Sequence, residues 1–241
     1  MPANRAPAPR SEAARLVLVH SPLVGPQTWE PVAAEFRALG YEAVVPDLTG
    51  TVAGGPPYAE RQAEVIAESA SGAGSVLVGH SGAGALLAPA GALVASVAGF
   101  VFVDAGLPAP GRSALEGMPA ELAEQLRGMA DGQGWLPPWA QWWEPGVLAE
   151  LVPDAGVRRR FADACPRLPL AMFEERDPEV PGWPSAPAAY LRLSEAYDDE
   201  AARARALGWP VAELASHHLA PLTDPGLVTA ALLALVQRLG R

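Results

Sequence analysis

Residues 75–84 read SVLVGHSGAG, an apolar run that ends in glycine, histidine and serine before turning to glycine again. A serine hydroxyl becomes a nucleophile when the backbone exposes it and a base stands ready for its proton. Such exposure needs a sharp strand-to-helix turn, with the serine strained and small residues two positions away on each side. Around Ser81, Gly79 meets the first demand. Ala83 stands where the second glycine is expected, and Gly84 comes one place late. A methyl group is the smallest trespass there, so the turn is expected to form. The helix starting near Gly82 would aim its first N–H groups, that of Gly82 foremost, at an oxyanion beside the serine.

Candidates for the base are few. The chain holds 4 histidines, and His20, His80, His217 and His218 all fall at the carboxyl ends of strand-like runs. His20 and His80 also suit a plainer role, satisfying local backbone groups. The His217–His218 pair has a chemical partner in Ser81. A metal site built from His20, His80 and His218 has no ligand spacing to support it. The single cysteine, Cys165, leaves open neither an intrachain disulfide nor a cysteine metal cluster.

These side chains need elements to hold them, and the apolar patterning supplies them. RLVLVH (15–20), YEAVVPDL (41–48), SVLVGH (75–80), GFVFVDA (99–105), AAYLRLS (188–194) and PVAELAS (210–216) read as strands. Nearly continuous apolar runs of this length suit strands buried on both faces. Helical spacing covers 28–40, 58–71, a stretch from about Gly82 that Pro89 should kink or divide, 198–208 and 225–239. This alternation predicts an α/β fold: about six mostly parallel strands, right-handed crossovers, helices on both faces, and chemistry at the carboxyl ends of the strands.

Composition narrows the partners. Against 17 Lys and Arg stand 27 Asp and Glu, a net charge of −10, so nucleic acid and anionic membrane surfaces are not expected to bind. No apolar run has the length of a membrane span. The first 14 residues, MPANRAPAPRSEAA, lack the apolar stretch of a secretory signal and read as a disordered tail, which leaves a cytoplasmic location as the default. Residues 107–187 carry 13 of the 26 prolines and 5 of the 7 tryptophans. So long a connection should form its own substructure, with helical pieces at 113–130, 147–163 and 167–176. The domain plan is therefore a core in two parts, 15–106 and 188–241, around an insertion at 107–187.

Four stretches together resemble the α/β-hydrolase superfamily, and within it the compact branch containing plant hydroxynitrile lyases and methylesterases. LVHSPLVGPQTW (18–29) resembles that branch's first strand and HG-type loop. VLVGHSGAG resembles its nucleophile elbow, FVFVDAGLP its next strand, and SHHLAPLTDP (216–225) its histidine loop. The resemblance implies that His218, seven residues before Pro225, is the general base, with His217 a neighbour lining the pocket. It implies a helical lid at 107–187 and an acid that orients the base. Asp198, after the fifth strand, and Asp104, after the strand that follows the nucleophile, both suit the acid, and Glu195 is a third candidate. The branch takes an oxyanion N–H two residues after the first-strand histidine, where this chain has Pro22. Proline has no N–H to give. Either the N–H of Leu23 or the hydroxyl of Ser21 replaces it, or the reaction does without a full oxyanion hole.

WLPPWAQWW (135–143) puts four tryptophans in nine positions. Some should form the insertion's own core and others, Trp139 and Trp142 among them, should face the cleft, with Leu107, Met118, Met129, Met172 and Phe173 adding adaptable apolar surface. A bulky apolar or aromatic substrate follows. The leading expectation is hydrolysis of an ester, thioester or lactone through an acyl-enzyme on Ser81, with no metal and no organic cofactor, by a monomer or homodimer. The alternative is lyase, cyclase or other proton-transfer chemistry with Ser81 and His218 as the acid–base pair. A binding protein without turnover would have no need of both residues.

Overall fold

The structure, a computed structural model, describes residues 15–70, 74–144, 146–183 and 187–239. The stretch 1–14, expected to be a disordered tail, lies outside the described residues. The first half of the core runs β1 (Leu16–Val19), α1 (Glu30–Ala38), β2 (Ala43–Val44), α2 (Tyr58–Ser69), β3 (Ser75–His80), α3 (Gly84–Leu93) and β4 (Val97–Val103). The insertion holds α4 (Ala114–Gly117), α5 (Ala120–Met129), β5 (Trp135–Leu136), α6 (Val147–Leu151), α7 (Ala155–Ala164), β6 (Leu168–Pro169) and α8 (Ala171–Glu174). The core resumes with β7 (Ala188–Arg192), α9 (Asp198–Ala206), β8 (Val211–Glu213), α10 (Ala220–Thr223) and α11 (Pro225–Leu239).

Six strands form one wholly parallel sheet in the order β2-β1-β3-β4-β7-β8. Alternate residues of each strand face opposite layers, and both sets are apolar. Val17, Val19, Leu77, Phe100, Phe102 and Tyr190 pack with Ile66 of α2, Leu87 of α3 and Ala204 of α9. Leu18, Val78, Val101, Val103 and Leu191 pack with Val32 and Phe36 of α1 and with Val228, Leu232 and Leu235 of α11. Burial on both faces is why these strands read as continuous apolar runs. The chain moves from β1 out to β2 and then back across to β3, so the direction of winding reverses between β1 and β3. A crevice at such a reversal, at the carboxyl ends of the strands, is where open α/β sheets bind ligands.

The insertion is more broken than its spacing predicts. Pro119 separates α4 from α5, Pro153 separates α6 from α7, and the stretch 167–176 begins as β6 before turning into α8. β6 pairs antiparallel with β5, Trp135 opposite Pro169 and Leu136 opposite Leu168. Pro89, by contrast, lies inside α3 without dividing it. The insertion is tied to the core by Glu175, whose two carboxylate oxygens accept the N–H groups of Tyr58 (2.8 Å) and Ala59 (2.7 Å) at the start of α2. A carboxylate there meets both the orphan donors and the positive end of the helix dipole. Among the described residues no helix is long and apolar enough to cross a membrane.

Candidate active site

Ser81 follows β3 directly and has φ +58°, a left-handed conformation that a serine rarely adopts. Two glycines make room for the turn. A Cβ on Gly79 would come within 2.9 Å of the Leu87 side chain of α3, and one on Gly84 would lie 2.0 Å from the carbonyl oxygen of Gly106. The close approach thus falls at Gly84 rather than at residue 83, and the Ala83 methyl is absorbed in the core.

Asp104 directly follows β4, has φ +43° and is fully buried. Its Oδ1 accepts the N–H groups of Leu193 (2.6 Å) and Ser194 (3.0 Å), and its Oδ2 accepts the Ser194 hydroxyl at 2.5 Å. The same Oδ2 lies 3.1 Å from Nδ1 of His218. Burial acts to raise the Asp104 pKa, but the hydrogen bonds from His218, Ser194 and Leu193 together hold it below the usual carboxylate value. An ionised Asp104 makes Nδ1 of His218 the donor and leaves Nε2 to take a proton. Of the three carboxylates weighed from sequence, Asp104 is the one in contact with His218. Asp198 begins α9 and pairs with Arg192 (3.0 Å) with its side chain 57% exposed. Glu195 is exposed on the preceding turn.

The other histidines divide by environment. His20 is fully buried; its Nδ1–H donates to the Ser21 carbonyl (2.8 Å) and its Nε2 accepts the Leu48 N–H (3.1 Å), so both nitrogens are committed to backbone. His80 donates through Nε2 to the His218 carbonyl at 2.9 Å, and its ring lies 4.5 Å from that of His218. Burial, with the His218 charge adding to it, pushes the His80 imidazole down to about 3, so it stays neutral and steadies the histidine loop. His217, expected to line the pocket, faces Thr223 (3.2 Å) and Asp224 (3.8 Å) instead.

Ser21 and Gly82, the residues expected to face an oxyanion, follow the ends of β1 and β3. Ser21 is buried, and its Oγ would stand 3.1 Å from a Cβ on Gly82, with Pro22 next at 3.7 Å. The Leu23 N–H points at Ser21 Oγ (3.3 Å). That N–H is therefore occupied, and the Ser21 hydroxyl keeps its own hydrogen for another acceptor. Ser81, His218, Trp139, Val24 and Leu219 close around a space of only about 10 Å³. Beyond Ser21 and Gly82 a cavity of about 110 Å³ extends between Leu23, Leu86, Met172 and Phe173, with the buried Gln62 as a polar group on its wall. It shares Ala59, Glu175 and Arg176 with a wider depression of about 450 Å³ lined also by Pro56 and Pro57.

The model of the alpha/beta hydrolase family matches residues 16–232, nearly the whole described chain, ending within α11. The chain belongs to the α/β-hydrolase family. No curated protein matches it. Among solved structures, this α/β-hydrolase is similar to an extracellular α/β-hydrolase from a Paenibacillus species described as sharing structural and functional homology with tobacco salicylic acid binding protein 2. That match has 19% identity and a TM-score of 0.73, covering 92% of this chain and 98% of that one. A pyrethroid hydrolase from Sphingobium faniae is similar at 20% identity and a TM-score of 0.67 over 93% and 98%. Tomato methylketone synthase I, in a variant bound to β-ketoheptanoate, is similar at 17% identity and 0.69 over 94% and 99%. Likeness at this level of identity establishes the shared fold.

Several residues of this α/β-hydrolase's site carry no signal in the sequence. Tyr197 stacks on His218, the rings 6° from parallel with centroids 5.2 Å apart, and its hydroxyl is 3.5 Å from Ser81 Oγ. Ser194 clamps Asp104 from the turn after β7. Neither residue is singled out by its type or spacing; each reaches the site because β7 lies beside β4. The tryptophans also separate. Trp139 walls the space at Ser81, Trp142 packs on Phe173 with its indole N–H given to the Pro137 carbonyl, and Trp143 is 45% exposed. Trp183 turns back onto Phe100 and Phe102. Met118 and Met129 join a cluster that the insertion shares with Val52 and Tyr58 of the core, and Leu107 packs against the sheet.

Proposed function

We propose that the protein is a serine hydrolase that cleaves an ester, thioester or lactone of a bulky apolar small molecule through an acyl-enzyme on Ser81. The observation that carries this reading is the buried Asp104 carboxylate on His218 Nδ1, with His218 and the left-handed Ser81 bordering one small space. Ser81 Oγ attacks the carbonyl carbon while His218 Nε2 takes its proton and passes it to the leaving group; water then repeats the sequence on the acyl-enzyme. The Gly82 N–H is the first oxyanion donor, and the Ser21 hydroxyl is the second in place of the N–H that Pro22 lacks. The insertion acts as a lid, with Trp139 over the serine. The 110 Å³ cavity takes the apolar part of the substrate; a cavity of about 150 Å³ holds benzene elsewhere, so the group is of that order of size.

Pro22 also favours a second reading, in which Ser81 and His218 move a proton in a lyase or cyclase reaction that builds no full oxyanion. A methylketone synthase among the structural neighbours is in keeping with it. Intact-mass analysis after fluorophosphonate treatment separates the two. The hydrolase reading expects one adduct on the wild type and none on Ser81→Ala. A folded wild type that takes up no probe, even with Trp139→Ala to open the site, points to the second reading.

A further inference from the structure

We propose that Tyr197 is a catalytic residue of the second half-reaction, donating a hydrogen bond to Ser81 Oγ as that oxygen is expelled from the acyl-enzyme. The role rests on the hydrolase reading above and deepens it. Three observations converge. Among the described residues, the Tyr197 hydroxyl is the hydrogen-bond partner of Ser81 Oγ, at 3.5 Å, a long contact of the kind that tightens when a substrate is bound. The Tyr197 ring lies flat on the His218 imidazole, which fixes the phenol on the His218 side of the serine. The oxyanion donors stand on the other side: Ser21 follows β1, Tyr197 follows β7, and β3 with Ser81 lies between those strands in the sheet. Tyr197 is thus placed for the serine oxygen and not for the carbonyl oxygen. Burial holds the phenol above its usual range, so it remains a donor at neutral pH.

The chemistry distinguishes the two halves of the cycle. In acylation Ser81 Oγ forms a bond to the carbonyl carbon and its proton passes to His218 Nε2, which returns it to the departing alcohol. In deacylation a water oxygen bonds to the acyl carbon and gives its proton to His218. The bond from that carbon to Ser81 Oγ then breaks, and His218 returns the proton to Oγ. In the acyl-enzyme Oγ is an ester oxygen, a poor acceptor that gains negative charge as it leaves, whereas in acylation the resting hydroxyl already takes the same bond, so a donor held against Oγ speeds deacylation more than acylation. Tyr197 keeps its own proton throughout. The ring stack adds a face on which the imidazolium can rest, and phenylalanine would retain it.

The test follows p-nitrophenyl butyrate turnover in the full chain, comparing wild type, Tyr197→Phe and Ser81→Ala. Tyr197→Phe is expected to slow the steady state roughly tenfold, slow the first turnover of p-nitrophenolate much less, and accumulate a butyryl adduct on Ser81 by intact mass. Equal slowing of both phases, or of neither, would overturn the role while leaving Ser81 as nucleophile. Release of p-nitrophenolate that survives Ser81→Ala unchanged would remove the hydrolase reading and this role with it. If Tyr197→Phe does not fold, 3-fluorotyrosine at position 197 decides: a stronger donor of nearly the same size should raise the deacylation rate, and no change refutes the proposal.

Discussion

At the scale of single residues, the site is decided by which carboxylate meets His218. Asp198 follows the fifth strand in sequence order, but the Arg192 guanidinium holds it at the surface. Asp104 is buried, satisfied by two backbone N–H groups and one hydroxyl, and aimed at the ring. An amide at position 104 would keep the shape but offer His218 no charge to hold its tautomer. Asp104→Asn should therefore lower kcat on the order of 10³–10⁴-fold. Asp198→Asn should leave kcat unchanged and alter stability by less than about 1 kcal/mol, as befits an exposed ion pair. Steady-state kinetics on the two variants reads the difference; comparable losses in both would return the acid to the end of the fifth strand.

At the scale of elements, the turn after β4 is shaped from its neighbour. Tyr190 of β7 is fully buried, donates its hydroxyl proton to the Ala105 carbonyl (2.8 Å) and accepts the Ala105 N–H (3.1 Å). One side chain thereby satisfies both backbone groups of the residue that follows the left-handed Asp104. Tyr190→Phe removes the oxygen and leaves a buried donor and acceptor unpaired, each costing about 1–3 kcal/mol. The variant should melt several degrees lower, and its kcat should fall because Asp104 loses the support of its turn. An unchanged melting temperature would mean that water or a shifted backbone takes over both bonds. The glycine pattern of the elbow is set at the same scale. Gly84, one place late by the usual spacing, is the position where α3 meets the Gly106 carbonyl.

For the whole molecule, the insertion supplies part of the wall around Ser81. The serine is 8% exposed and borders the same small space as Trp139, whereas the larger cavity lies past Ser21 and Gly82 and broadens toward the surface near Arg176. Trp139 also packs on Phe161 and Trp143 within the insertion, so it is both wall and core. Trp139→Ala should raise KM for the preferred substrate and quicken labelling of Ser81 by a bulky fluorophosphonate. The sheet is untouched, so the chain should stay folded by circular dichroism. Unchanged KM and labelling rate would mean that the indole serves only the insertion's core.

The sequence by itself determined the strands, their parallel winding and the sharp turn at Ser81, because each rests on local signals: doubly apolar runs, glycine beside serine, and helical spacing up to α11. It also marked 107–187 as a separate substructure by its proline and tryptophan content. It left the acid open among Asp104, Asp198 and Glu195, since their separation along the chain says nothing of which strand ends lie side by side. The order β3-β4-β7-β8 settled that contact, bringing Asp104, Ser194, Tyr197 and His218 to one edge of Ser81. It likewise turned His217 away and split the tryptophans between wall, core and surface. Strand order and the packing of the insertion are products of long-range burial, which no local pattern of residues encodes.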